Sequence, residues 1–169
     1  MIYRNMIVGI LALLACTGAA QAGMLQHNYW NKYLLTAQHP NGWSARWDDQ
    51  GNGYGTWVVT SSGNTIVLMF QINNADGSLD QMAASFAHDF GAPPPLKVSA
   101  TQISKYFGSL YSTHLMGGPN KTIPMTMTLR VVMLSEGYAA FLAETTTDGL
   151  PAADIAAADQ SLASVRITP

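Results

Sequence analysis

Residues 78–95 constrain the fold of this chain more than any other stretch. Ser78-Leu79-Asp80-Gln81 is a capping box, in which the serine hydroxyl accepts from the backbone N–H three residues on while the glutamine reaches back. Leu79, Met82, Ala83, Phe86 and Phe90 then recur at helical spacing, Gly91 supplies a left-handed stop, and Pro93-Pro94-Pro95 breaks the chain. The sequence on both sides reads as β. One helix set between two β-rich blocks predicts antiparallel strands covered by helices, not the regular strand–helix alternation of a parallel sheet.

Before the helix, Gly23 to Asn31 reads as a polar-aromatic lead-in with at most one helical turn. Strands follow at 34–39 and 43–48 around a Pro40-Asn41-Gly42 turn. Two more at 56–60 and 65–72 flank Ser61-Ser62-Gly63-Asn64, a hairpin loop by composition. The run Ile66-Val67-Leu68-Met69-Phe70 is apolar on both faces and predicts a central strand covered on both sides. After the prolines, β-rich segments occupy 97–103, 107–116, 123–134 and 138–146, with Ser135-Glu136-Gly137 closing a hairpin between the last two. Pro151 suits the first position of a second helix, whose buried stripe is Ile155, Ala158 and Leu162, and residues 165–168 end the chain as a short strand. The expectation is an α+β fold: an antiparallel sheet flanked by two main helices.

Two segments resemble a known family. His39-Pro40-Asn41-Gly42-Trp43 is similar to the proline-glycine-tryptophan turn that opens PsbP-like domains, and 157–167 resembles their helix-to-strand ending. The element order across residues 23–169 matches as well. This family, which includes PsbP of photosystem II and the DcrB-type periplasmic proteins of bacteria, is mostly non-enzymatic. The resemblance therefore implies an α/β sandwich and an accessory or binding role, and it carries over no catalytic residue.

The first 22 residues give an address. A short start with one positive charge, Arg4, precedes an apolar run from Met6 to Ala15, and Ala20-Gln21-Ala22 offers small residues at the cleavage positions. This is the pattern of a secretory signal peptide, and the run is too short to span a bilayer permanently. Removing it from the 169 residues leaves 147, one domain of ordinary size, with no transmembrane segment. The expected location is the periplasm. Cys16 gives an alternative: Leu13-Leu14-Ala15-Cys16 resembles a lipobox, and acylation there would anchor the protein in the outer membrane. Cys16 is the sole cysteine, so residues 23–169 fold without disulfides, on a core that the 48% hydrophobic composition supports. Without Arg4, seven basic residues face ten acidic ones, a net charge of −3 with no basic run, which argues against nucleic acid as a partner.

Candidate chemistry is sparse. Asp48-Asp49-Gln50-Gly51-Asn52-Gly53 begins like an EF-hand loop, but position twelve is Val59 and no helices flank it, so a loop between strands is expected. A hairpin turning at Pro119-Asn120 with paired positions summing to 239 would set His114, Met116, Met125 and Met127 on one sheet face, a donor set suited to Cu(I). The competing reading is ordinary methionine core filling. No nucleophile elbow occurs, the four histidines are scattered, and no phosphate-cradling loop is present. Neither an enzyme nor a cofactor is expected. Aromatic residues concentrate in the first third, and Tyr29, Trp30, Trp47 and Tyr54 are the expected protein contacts. The function this predicts is an exported, non-catalytic envelope module that binds another protein, with no prediction of oligomeric state. Two alternatives are an immunity-type inhibitor of a secreted toxin and an envelope protein binding a small molecule or copper.

Overall fold

A computed structural model describes residues 23–117, 123–147 and 149–169. The signal segment with Cys16, and the turn expected at Pro119-Asn120, lie outside these residues. Ten strands and two α-helices follow the order β1 (Gly23–Tyr29), β2 (Tyr33–His39), β3 (Ser44–Gly51), β4 (Tyr54–Thr60), β5 (Ile66–Asn74), α1 (Leu79–Asp89), β6 (Leu96–Ile103), β7 (Tyr106–Gly117), β8 (Ile123–Met133), β9 (Tyr138–Thr147), α2 (Ala152–Ala163) and β10 (Arg166–Thr168). The fold is a mostly-sheet α+β fold in which every strand pair is antiparallel.

The expected single sheet is two sheets. A large one runs β3-β4-β5-β9-β8-β7-β6, and a small one runs β1-β2-β10. The segment expected as a lead-in is strand β1, because Leu25, His27 and Tyr29 alternate inward against β2. As expected from its apolar run, β5 is central in the large sheet, between β4 and β9.

The inner strands of the large sheet are packed on both faces. Ile66, Leu68, Phe70, Ile72, Ala140 and Leu142 pack on one side with Leu25, Tyr29, Leu35, Ala158 and Leu162, joining the sheet to β1, β2 and α2. Met69, Met127, Leu129, Val131 and Phe141 on the other side meet Met82 and Phe86 of α1. The capping box forms as read, with Gln81 N–H donating to Ser78 Oγ at 3.3 Å and Ser78 N–H donating to Gln81 Oε1 at 2.8 Å. Tyr111 of β7 donates to Asp80 at 2.6 Å and fixes the start of α1 over β7 and β8. In α2, Ser161 donates to the Gln38 carbonyl at 2.6 Å, pinning the helix to β2. Pro151 is the N-cap of α2 and not its first helical residue, since its ψ of 136° is extended. Two residues expected on buried stripes are exposed: Ile155 on α2 and Phe90, which is the C-cap of α1.

The open ends of the large sheet are β3 and β6. A bulge between Lys97 and Ser99 interrupts the pairing of β6 with β7, and Leu96 and Val98 there are exposed.

Candidate functional site

Because α1 sits mainly over β7 and β8, the same face of β3 and β4 is left beside the helix without a cover and that of β5 is covered only in part, at Met69. Period two and the observed register place Arg46 and Asp48, Thr56 and Val58, and Met69 and Gln71 together on that face. The result is a groove floored by strands and walled by Phe86, Asp89 and Phe90 of the helix. One part encloses about 420 Å³. A second part, about 140 Å³, continues toward Asn73 and Asp76, and the two share Tyr54, Gln71, Phe86 and Asp89.

The polar groups of the floor are held in place. Thr56 Oγ1 donates to Gln71 Oε1 at 2.8 Å, and Asn73 Nδ2 donates to the Tyr54 hydroxyl at 3.1 Å. Arg46 and Asp48 form a solvent-exposed ion pair at 3.7 Å, worth little for stability in water. Burial, with the nearby Asp89 carboxylate second, raises the Tyr54 hydroxyl above its usual range, so it stays a neutral donor. Phe86 stacks on Phe141 at 5.6 Å with ring planes 9° apart, and Phe90 tilts against Phe86 at 5.0 Å. One aromatic wall is thus anchored in the core and continues outward to an exposed ring. This combination of fixed donors and acceptors with an apolar wall suits binding. Among the described residues lining it there is no histidine, lysine or cysteine.

Of the residues singled out as contacts, only Tyr54 lines this groove. Tyr29 is fully buried between the sheets, its hydroxyl 3.3 Å from the carbonyl oxygens of both Gly55 and Phe70, so its assignment as a contact is corrected. Trp47 stacks on His27 at 3.8 Å and leans on Trp57 at 5.5 Å, on the face opposite the groove. Trp30 takes a positive φ of 49° in the β1–β2 turn and is half-buried against Tyr54 and Tyr138. The aromatic concentration in the first third therefore serves mainly the junction of the two sheets.

The expected methionine–histidine face does not form. Residue pairs of β7 and β8 sum to 240, with His114 opposite Thr126 and Leu115 opposite Met125. That single step moves Met125 and Met127 to the side of the sheet away from His114. Met127 is buried beneath α1, and Thr126 Oγ1 lies 3.3 Å from His114 Nδ1. Met116 pairs with Pro124. The glycine-rich segment is a β3–β4 hairpin turn, in which Gly51, Asn52 and Gly53 all take positive φ and Asp49 Oδ1 accepts from the Gly51 N–H at 2.9 Å. Asp49 is thus used in closing the turn.

The groove residues Thr56, Gln71 and Asn73 escaped the sequence reading. Their signal is the change along β5 from Val67 and Met69 to Gln71 and Asn73 on one face of a central strand, matched by Thr56 on β4.

No family model and no curated protein matches this chain. Two solved structures resemble it in fold. LpqN of Mycobacterium tuberculosis, described as involved in cell envelope biogenesis, aligns with a TM-score of 0.53 at 16% identity, covering 87% of this chain and 91% of its own. The PsbP of Synechocystis sp. PCC 6803 (CyanoP) aligns with a TM-score of 0.51 at 14% identity, covering 92% and 99%. The resemblance to PsbP-like domains read from the sequence therefore extends to the three-dimensional fold.

Proposed function

We propose that this chain is an exported, non-catalytic accessory module of the bacterial cell envelope that binds another protein through the groove beside α1. The observation that carries the reading is the groove: an uncovered stretch of sheet with its side chains already fixed, ending in the exposed ring of Phe90. Preorganised polar groups beside a protruding aromatic ring give affinity with little ordering cost. The leader sequence supports export, and the likeness to LpqN supports an envelope setting.

The test is site-specific photo-crosslinking in living cells. A photoreactive residue replacing Phe90 or Gln50 should give one discrete adduct, and the same residue at Ser99 on the far edge should give none. Equal labelling at both edges, or no adduct from the groove, would refute the reading. An adduct with a secreted toxin would identify the partner class as that of an immunity protein.

A small-molecule ligand is the second reading, favoured by the 420 Å³ volume of the groove, which falls within the range of about 300–1,000 Å³ usual for such sites. Periplasmic release is the expected state of the exported chain. The mass of its N-terminus distinguishes cleavage after Ala22 from acylation at Cys16.

A further inference from the structure

A second cavity, of about 260 Å³, lies at the other end of the molecule, where α2 and β10 meet β6 and β8. It is independent of the groove. Its most telling atom is Arg130 Nη1, which is buried and has no hydrogen-bond partner. A guanidinium carries five donors and cannot shed its charge, so a buried donor left unmet costs free energy until an acceptor arrives. Arg130 reaches this position because β8 presents it on the α2 side of the sheet, opposite Leu110 and Leu142.

Acidic groups stand close by. Asp159 of α2 lines the same cavity. Glu144, two residues along β9 from the partner of Arg130, is buried on the same face. Burial first and Asp159 second hold its carboxyl above the usual range, with Arg130 opposing them. The cavity is lined by one carboxylate, Asp159 on α2, and two guanidinium groups, Arg130 on β8 with an unmet donor and Arg166 on β10, whose Nη1 is already spent on backbone carbonyls. Ile103, Leu162 and Val165 supply its apolar lining.

Hydrogen bonds tie the walls together. Ile167 N–H donates to Ser104 Oγ at 2.9 Å, joining β10 to the β6–β7 turn. Gln102 donates to the Ser104 carbonyl at 2.9 Å. Arg166 Nη1 closes the end of α2 by donating to the carbonyls of Ala163 and Val165, 2.8 Å each.

We propose that this cavity binds a small apolar α-amino acid as its zwitterion. The carboxylate would accept from Arg130, the ammonium would donate to Asp159, and the side chain would lie on Ile103, Leu162 and Val165. A bare anion would meet the Asp159 carboxylate in the same cavity, and a bare cation would meet Arg130 and Arg166. Only a molecule carrying both charges satisfies both walls. At about 260 Å³ the cavity lies below the range of drug-sized sites, about 300–1,000 Å³, a size that suits a single amino acid.

The test is calorimetric titration and thermal melting of the chain purified from the envelope of an expressing cell. L-Leucine should raise the melting temperature in proportion to the logarithm of its concentration. The analogue 4-methylpentanoate lacks the ammonium and 3-methylbutylamine lacks the carboxylate, and each should bind at least tenfold more weakly. Asp159→Asn changes an exposed side chain, so folding should survive, and it should weaken L-leucine at least tenfold while binding 4-methylpentanoate no more weakly than before. Arg130→Lys keeps the charge but loses the planar fork, and it should weaken both carboxylate ligands. The proposal is overturned if 4-methylpentanoate or inorganic phosphate binds as tightly as L-leucine, if Asp159→Asn has no effect, or if no probe shifts the melting temperature.

Discussion

Phe86 and Phe90 read alike in the sequence, one turn apart on the same stripe, yet the structure gives them opposite tasks. Phe86 is 6% exposed and Phe90 44% exposed. Truncating each to alanine should separate them. Fully burying a phenylalanine is worth about 1.5–3 kcal/mol, and Phe90 hides little more than half of its surface, so Phe90→Ala should cost about 1 kcal/mol. Phe86→Ala loses almost the whole transfer term, leaves a cavity above Phe141, and removes a parallel stack worth about 0.5–1.5 kcal/mol. Its total should be about 3–4 kcal/mol, near the lower part of the range for such truncations. In a chain of this size 1 kcal/mol corresponds to about 2–4 °C, so melting should fall by about 6–16 °C for Phe86→Ala and about 2–4 °C for Phe90→Ala. Urea unfolding followed by circular dichroism gives the free energies directly. Equal losses for the two variants would refute the assignment of Phe86 to the core and Phe90 to the groove wall. Phe90→Ala should in turn abolish the groove crosslink while the fold persists.

Three other outcomes are expected. A Cβ at Gly55 would lie 2.4 Å from the Trp47 ring and 2.6 Å from the Asp48 carbonyl, so Gly55→Ala should cost about 1–3 kcal/mol by urea unfolding. Ser78→Ala removes the acceptor for the Gln81 N–H and should cost about 0.5–2 kcal/mol, with faster amide exchange in the first turn of α1. Glu144 has a folded-state pKa raised above its unfolded value, so the native chain holds the proton more tightly. Its contribution to stability is present at acid pH and is lost as pH climbs from about 4.5 through the raised value. Glu144→Gln should flatten that part of the stability–pH curve, and an unchanged curve would contradict the burial of an ionisable carboxyl there.

Local signals carried most of the element order. Ser78 and Gln81 determine where α1 begins because both partners of the cap lie within four residues, and hairpins such as β8–β9 follow from short connections. What failed was non-local. Whether strands form one sheet or two depends on which edges meet in space, and nothing within Leu25, His27 and Tyr29 states that β2 will pair with β1 and β10 and not with β3. The β7–β8 register differs by a single residue from the expected one, and that step decided whether His114 shares a face with Met125. The groove was hidden for the same reason. Thr56 and Gln71 become a site only when α1 is displaced toward β7 and β8, a choice made by Tyr111 and Asp80, 31 positions apart.

The extra residue at Val98 has a bearing on how crowded this protein can be. A flat outer strand would offer neighbouring molecules a regular row of donors and acceptors to extend. Here the kink puts that row out of step after its first residues, and three prolines in succession precede it. Straightening the margin by deleting Val98 should lower the concentration at which the purified chain begins to aggregate, since the apolar Leu96 would then sit on an unbroken template.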